Sequence, residues 1–289
     1  MAQTNGKEAR SGLLLITPPA IFTILLLAAP LAAVLIYSFM TSENGAVSGP
    51  MTLANYTEVL TKPQYRAVML RSLNISLLVT LTTVLLAYPV AYFVSFHVKP
   101  EHKSLWLFLI TIPFWTSYII RVSLWRTILG FEGVVDSSLM GLGIVSEPLN
   151  ILANGAASMV ITLSQAYAPF AVLPIFIALE KVDRALLEAG QDLGESRLMT
   201  FIRVTLPLTM PGVIAAVLIV FIPTVGDYVT PELIGGGKVP MIANMIESQM
   251  LKLNDKAMGS AIAVSAMLIV GLVSVVFVLL NRRFIGGRS

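Results

Sequence analysis

The sequence predicts an all-α membrane protein with six transmembrane helices, on three observations. Of 289 residues, 56% are hydrophobic and only 12% charged, and the mean hydropathy is +0.83, far from the composition of a soluble domain. The apolar residues gather into runs of about 20 or more, the length needed to cross a bilayer with every backbone polar group satisfied inside the segment. Between those runs lie stretches rich in Gly, Pro, Asn and Ser, which mark turns and irregular structure.

The six expected spans are 13–39, 72–96, 105–129, 151–179, 206–226 and 257–280. The first follows Lys7 and Arg10, as a secretory signal would. Its uncharged stretch 11–42 is much longer than the ~7–15 residues of a signal-peptide core, so it reads as a retained helix. The third carries Arg121 and Arg126 at its far end. Pro18, Pro19, Pro30, Pro89, Pro113, Pro169 and Pro174 fall within spans, where proline bends a helix and neighbouring groups re-satisfy the freed carbonyl. Such bends serve a moving bundle or ordinary packing equally well. The last span is followed by Arg282 and Arg283. The chain divides into 1–67, holding a tail, the first helix and an outside loop; a five-helix core 68–281; and a tail 282–289.

Composition also excludes several classes. There is no cysteine, hence no disulfide framework, thiolate metal site or cysteine nucleophile. His97 and His102 are the only histidines, too few for a histidine metal cluster, so no metal site is expected. A formal charge of +3 suits basic residues gathered at membrane-proximal helix ends better than a nucleic-acid partner. Basic residues in short loops favour the cytoplasm. Lys7, Arg10, Lys99, Lys103, Lys181, Arg184, Arg197, Arg203, Arg282, Arg283 and Arg288 fall on that side, and an even helix count places both termini there. Lys62, Arg66, Arg71, Arg121, Arg126, Lys238, Lys252 and Lys256 fall outside, so the bias is modest.

One inside connection, 180–205, differs from the others in mixing both charge signs at helical spacing. Leu186, Ala189 or Gly190, and Leu193 recur along one face, and Arg184, Glu188 and Asp192 stand four apart on another. Gly194 suits a left-handed helix terminator, and Ser196 the N-cap of a second helix carrying Leu198, Met199, Phe201 and Ile202. The result is a helix–turn–helix elbow entering the fifth span through Leu206-Pro207. Taken on periodicity alone, such an amphipathic element also fits a helix lying on the membrane with no partner.

Glu188-Ala189-Gly190, three residues, Gly194, nine residues, then Val204-Thr205-Leu206-Pro207 closely resembles the signature loop of binding-protein-dependent ABC importer permeases. That pattern is Glu-Ala-Ala, three residues, Gly, nine residues, Ile, any residue, Leu-Pro. Here Gly190 replaces the third alanine and Val204 the isoleucine, with the spacing intact. The resemblance implies a type I ABC importer permease fold in a bacterial inner membrane. It implies that this loop docks on a separate ATPase, with Glu188, Ala189, Gly190, Asp192 and Gly194 in the coupling element and Leu206 and Pro207 passing its motion onward. The implied partners are two ATPase subunits, a second permease subunit, homologous or identical, and a periplasmic substrate-binding protein. ATP and Mg are used by the ATPase, and this chain is expected to bind no cofactor. Gly235-Gly236-Gly237-Lys238 is only a look-alike of a phosphate loop, because Glu232 and Val239 occupy its defining flanks.

The resemblance extends over most of the chain and sharpens toward polyamine (spermidine/putrescine) permeases, through Ile112-Pro113-Phe114-Trp115-Thr116-Ser117 with Arg121 and Trp125, Tyr167-Ala168-Pro169-Phe170, and the run 221–236. A flexible polycation calls for carboxylates and aromatic faces along its path. Asp227 and Glu232 beside Tyr228 fit a cation-attracting entrance, and Trp115, Tyr118 and Tyr167 complete the candidate path. Interface-belt or packing roles account for each aromatic taken singly, and Arg121 equally suits pairing with a carboxylate. The alternatives are the same kind of permease for another small organic solute, such as an opine or amino-acid-like compound, or a secondary transporter. The second would favour inverted repeats, and none is evident. A membrane-embedded enzyme lacks a convergent nucleophile or metal set.

Overall fold

A computed structural model of the chain describes residues 4–43, 45–149, 151 and 155–285. The tail beyond Ile285, with Arg288, and residues 152–154 in the expected fourth span lie outside the described residues. The chain forms two compact units, one of Met1–Lys62 with Ile246–Met267, the other of Pro63–Met245 with Leu268–Ser289.

The first unit begins with α1 (Thr4–Ser38). Its most apolar stretch has no buried residue from Ile16 to Tyr37, and Ser38 at its end is buried. A two-stranded hairpin, Thr41–Glu43 against Ala46–Ser48, follows, then α2 (Ala54–Thr61). Asn55 pins the junction, its Nδ2 donating to the carbonyls of Ser38 (3.1 Å) and Met40 (2.8 Å). The Ser38 and Tyr56 hydroxyls bond at 2.6 Å.

The second unit holds the main core. It comprises α3 (Pro63–Phe96), α4 (Pro100–Thr111), α5 (Tyr118–Ile128), α6 (Val134–Gly141), α7 (Gly155–Glu180), α8 (Arg184–Asp192), α9 (Arg197–Thr200), α10 (Leu206–Val225) and α11 (Val229–Leu233). α12 (Ile242–Glu247), α13 (Lys256–Leu280) and α14 (Arg282–Ile285) complete the chain. α3, α7 and α10 pack around Val79, Ala87, Ala91, Leu163, Ala171, Ile175, Ala216 and Val220. Alanine recurs among these contacts, as Ala87, Ala91, Ala171 and Ala216; lipid supplies no hydrophobic drive between helices, so association rests on close backbone approach and interhelical hydrogen bonds. At Gly212 of α10, a Cβ would stand 2.5 Å from both the Ala178 Cβ and the Pro174 carbonyl oxygen of α7. Thr82–Ser164 at 2.5 Å and Tyr88–Thr209 at 2.7 Å supply polar ties. The outer face of α3, with Leu77, Leu78, Leu81, Leu85 and Leu86 all exposed, has the apolar surface suited to lipid.

Among the described residues, five helices are long and apolar enough to cross a membrane, and six spans result if one bent pair counts as a span. The expected continuous span 105–129 is that pair. α4 gives way to a 3-10 turn, Ile112–Trp115, and α5 departs at 88°. Pro113 lacks the N–H that would continue the ladder, and Thr116 and Ser117 are extended. The other spans match with shifted ends; α3 starts nine residues earlier than the expected 72. The second elbow helix is not separate from the fifth span. α9 runs through a π turn, Phe201–Thr205, directly into α10. Pro207 cannot donate to the carbonyl four residues back, and the wider turn absorbs that missing bond.

Gly212→Val should destabilise the bundle by about 1–3 kcal/mol through overpacking. It should lower the thermal midpoint of the detergent-solubilised protein, whereas Gly271→Val, at a site open to a Cβ, should leave it close to wild type.

Candidate functional site

Two clusters occupy opposite ends of α10, a helix of about 30 Å at 1.5 Å per residue. At its N-terminal end is the elbow. Asp183 caps α8, its Oδ1 accepting from the Ala185 N–H at 3.0 Å. α8 ends in a Schellman motif: Glu195 N–H donates to the Gly190 carbonyl (3.1 Å), Gly194 N–H to that of Gln191 (2.9 Å), and Gly194 takes φ +85°. Ser196 caps the next helix by accepting from Met199 N–H at 3.3 Å. The terminator and cap expected from the sequence are thus in place.

The elbow turns its buried side differently from the expected apolar face. Gly190 is buried, and a Cβ there would come within 3.2–3.3 Å of the Thr200 side chain, which accounts for glycine where the signature has alanine. Leu186, Leu193 and Leu198 instead stand exposed, Leu193 at 86%. Glu188, Ala189 and Asp192 are exposed as well. Arg184 reaches the end of α3: its Nη2 donates to the Ser95 carbonyl at 3.5 Å and its guanidinium lies 5.9 Å from the Phe96 ring centroid. Glu188 lines a cavity of about 510 Å³ with Arg184, Gln191 and Arg197 on one side and Tyr92, Phe96 and His97 on the other. Phe201, in the π turn, meets Tyr88 and Tyr92 edge-on at 5.5 and 6.0 Å, so the elbow and α3 are in register through aromatic contacts.

At the other end of α10, Asp227 is 7% exposed. Its Oδ1 accepts from the Val229 N–H (3.0 Å) and lies 3.5 Å from the Thr230 N–H, capping α11. Its Oδ2 accepts from the Tyr118 hydroxyl at 2.9 Å, and that hydroxyl lies 2.8 Å from Thr230 Oγ1. With its proton committed to Asp227, Tyr118 accepts from Thr230. Tyr167 lies within electrostatic range of Asp227 and Arg121. Arg121 forms no ion pair among the described residues. Its guanidinium sits 5.3 Å from the Phe114 ring centroid and 5.8 Å from that of Tyr118, while Nε and Nη1 are buried with no hydrogen-bond partner. An unpaired guanidinium in a span is costly.

The structure therefore brings together Tyr118, Tyr167 and Asp227. Trp115, Tyr228 and Glu232 are exposed around this cluster's elements without a side-chain bond into it. Trp115 meets Phe108 edge-on at 5.9 Å, and the Tyr228 carbonyl accepts from Asn244 Nδ2 at 2.9 Å. Sequence reasoning missed Thr230, Asn244 and Gly190's partner Thr200, none of which carries a local signal. It also missed Asp183, an Asp immediately before an amphipathic run, which is a recognisable N-cap.

Residues 21–286 match the family described as "Binding-protein-dependent transport system inner membrane component". The chain is 37% identical to the spermidine/putrescine transport system permease protein PotB of Haemophilus influenzae, over 88% of this chain and 90% of the relative. Identity to PotB of Escherichia coli K12 is 39%, over 83% and 86%. Among solved structures, a bacterial ABC transporter involved in import of the acidic polysaccharide alginate aligns with a TM-score of 0.72 at 17% identity, covering 96% of this chain and 98% of that one. A second alginate transporter structure, with a periplasmic protein bound to an alginate pentasaccharide, gives 0.73 at 16%, covering 97% and 96%. At that identity the likeness establishes the fold alone. A family match over most of the chain, together with relatives above a third identical across most of both lengths, makes this protein a member of the binding-protein-dependent ABC importer permeases, a membrane transport component and not an enzyme.

Proposed function

We propose that the chain is the permease half of an ATP-driven importer that takes up polyamines, putrescine and spermidine, delivered by a periplasmic binding protein. The observation that carries the solute class is the 37–39% identity to spermidine/putrescine permeases over most of each chain. On this reading the bent α4–α5 pair counts as one of six spans, both termini face the cytoplasm, and the protein resides in a bacterial inner membrane. A second permease, homologous or identical, completes the path, and two ATPase subunits use ATP and Mg.

The elbow is the docking element for the ATPase. Support comes from its exposed Leu186, Leu193 and Leu198, apolar surface on a polar connection that a partner would cover. Glu188, Ala189, Asp192 and Gly194 present the contact, Gly190 lets α8 lie against Thr200, and Leu206 and Pro207 pass displacement into α10. Tyr118, Tyr167 and Asp227 form the cation path, with Trp115, Tyr228 and Glu232 at its entrance. A cation over an aromatic face gains ~0.5–2 kcal/mol with desolvation, and Asp227 supplies the charge.

Uptake of labelled putrescine into proteoliposomes holding the full complex should require ATP and the binding protein. Solute movement by this chain alone along an ion gradient would contradict the proposal. Gly194→Val forces a β-branched residue into a left-handed conformation, at a cost of roughly 1–2 kcal/mol. It should insert normally yet lose ATP-driven uptake, as measured by membrane fractionation beside transport. Asp227→Asn keeps an acceptor for the α11 cap and removes the charge. Losing one charged contact of about 1.5 kcal/mol corresponds to roughly tenfold weaker putrescine uptake, with a modest fall in thermal midpoint because the amide nitrogen cannot accept from the Tyr118 hydroxyl.

A further inference from the structure

We infer that the ion pair between Lys103 and Glu180 is a positioning contact that carries movement of the elbow into the broken α4–α5 pair, and so to Tyr118. This inference rests on the reading of the elbow as the ATPase-docking element. It adds a second route out of the elbow, alongside the one through Leu206 and Pro207.

Glu180 is the last residue of α7 and stands just ahead of α8. Its Oε1 accepts from Ser95 Oγ at 2.5 Å and from Lys103 Nζ at 2.7 Å, and its Oε2 lies 2.9 Å from the same ammonium. Ser95, near the end of α3, is 1% exposed. Arg184, the first residue of α8, reaches back to the Ser95 carbonyl at 3.5 Å. Three helix ends and the start of the elbow therefore converge on one carboxylate.

The Lys103 side chain is only 14% exposed. The Glu180 side chain is 36% exposed, so the firmness of this pair comes from geometry: both carboxylate oxygens meet the ammonium, and Ser95 adds a third bond. The pair thus holds a geometry more firmly than surface pairs do. The pairs Glu58–Lys62, Glu195–Arg203 and Glu247–Lys252 each close within a short stretch of chain, whereas Lys103–Glu180 joins two helices 77 positions apart in sequence.

What lies beyond Lys103 makes the contact matter. α4 is 12 residues long and has no fully buried residue, and Leu105, Phe108 and Leu109 are exposed. Leu107 and Ile110 rest against the core and Trp106 meets Phe93 edge-on at 5.6 Å, non-directional packing that leaves the ion pair as the polar tie at the first turn of α4. The far end of α4 leads through the 3-10 turn to α5, whose first residue is Tyr118, bonded to Asp227 at 2.9 Å. A displacement of α8 that moves Glu180 then shifts α4 and, through the bend, the tyrosine that holds Asp227.

The test uses the assembled complex in nanodiscs, measuring ATP hydrolysis with and without solute-loaded binding protein, and uptake per ATP hydrolysed. Lys103→Met and Glu180→Gln should each leave basal hydrolysis within about twofold of wild type. Stimulation by loaded binding protein should fall fivefold or more, and the swapped pair Lys103→Glu with Glu180→Lys should recover at least half of it. Unchanged stimulation in both single variants, or losses that the swap does not recover, would overturn the inference. Should the single variants fail to assemble, Lys103→Cys with Glu180→Cys decides the matter in a chain that has no cysteine of its own. Stimulation should then rise when a short bis-methanethiosulfonate cross-linker joins the two thiols, and no rise would overturn the inference. Failure of the elbow reading is separate: wild-type permease would then bring down no ATPase at all.

Discussion

The close crossing of α7 and α10 at Gly212 is the constraint on which the remaining structure depends. α7 runs into the elbow and α10 runs out of it, so the elbow hangs from two helices whose backbones nearly touch. With no Cβ at Gly212, the Pro174 carbonyl and Ala178 can approach closely. In lipid, where apolar surface alone gives no preference for one neighbour over another, such approach replaces the hydrophobic effect as the source of association. A wider crossing would loosen both ends of α10 together, since the elbow joins one end and Asp227 follows the other.

From that crossing two connections reach outward. One is aromatic and short: Phe201, held edge-on by Tyr88 and Tyr92, sets the π turn against α3, and the helix then continues unbroken toward Asp227. The other is ionic, through Glu180 and Lys103 into α4. Both begin beside α8, whose own conformation is determined by a capping aspartate and a left-handed glycine. The bend between α4 and α5 places Tyr118 at a helix start, where its ring lies under Arg121 and its hydroxyl on Asp227. The same bend gives the α4–α5 pair a joint, which a straight helix would lack.

Much of this architecture was legible in the sequence, for definite reasons. Hydrophobic length located the spans because lipid leaves a helix no other way to satisfy its backbone. Gly194 and Ser196 were legible because terminators and caps act within a few residues. The bend at 112–117 was not, although Pro113 offered a hint, because the apolar run continues through it and hydropathy does not register direction. The junction at Leu206 was read as an entry point where the helix in fact runs through, since a π turn leaves no compositional trace. Contacts such as Gly190 with Thr200, Tyr118 with Asp227 and Lys103 with Glu180 depend on tertiary placement, as do the aromatic contacts of Arg121 with Phe114 and Tyr118.

The central claim is that the elbow meets an ATPase on the cytoplasmic side. Leu193 is 86% exposed and the chain has no cysteine, so a single Leu193→Cys carries a thiol cross-linker at one defined place. Cross-linking in inverted membrane vesicles, followed by identification of the attached protein, should capture the ATPase subunit, with a yield that changes between nucleotide-free and ATP-bound states. Labelling of that cysteine by a membrane-impermeant thiol reagent added outside intact cells, with no ATPase captured from vesicles, would contradict the account.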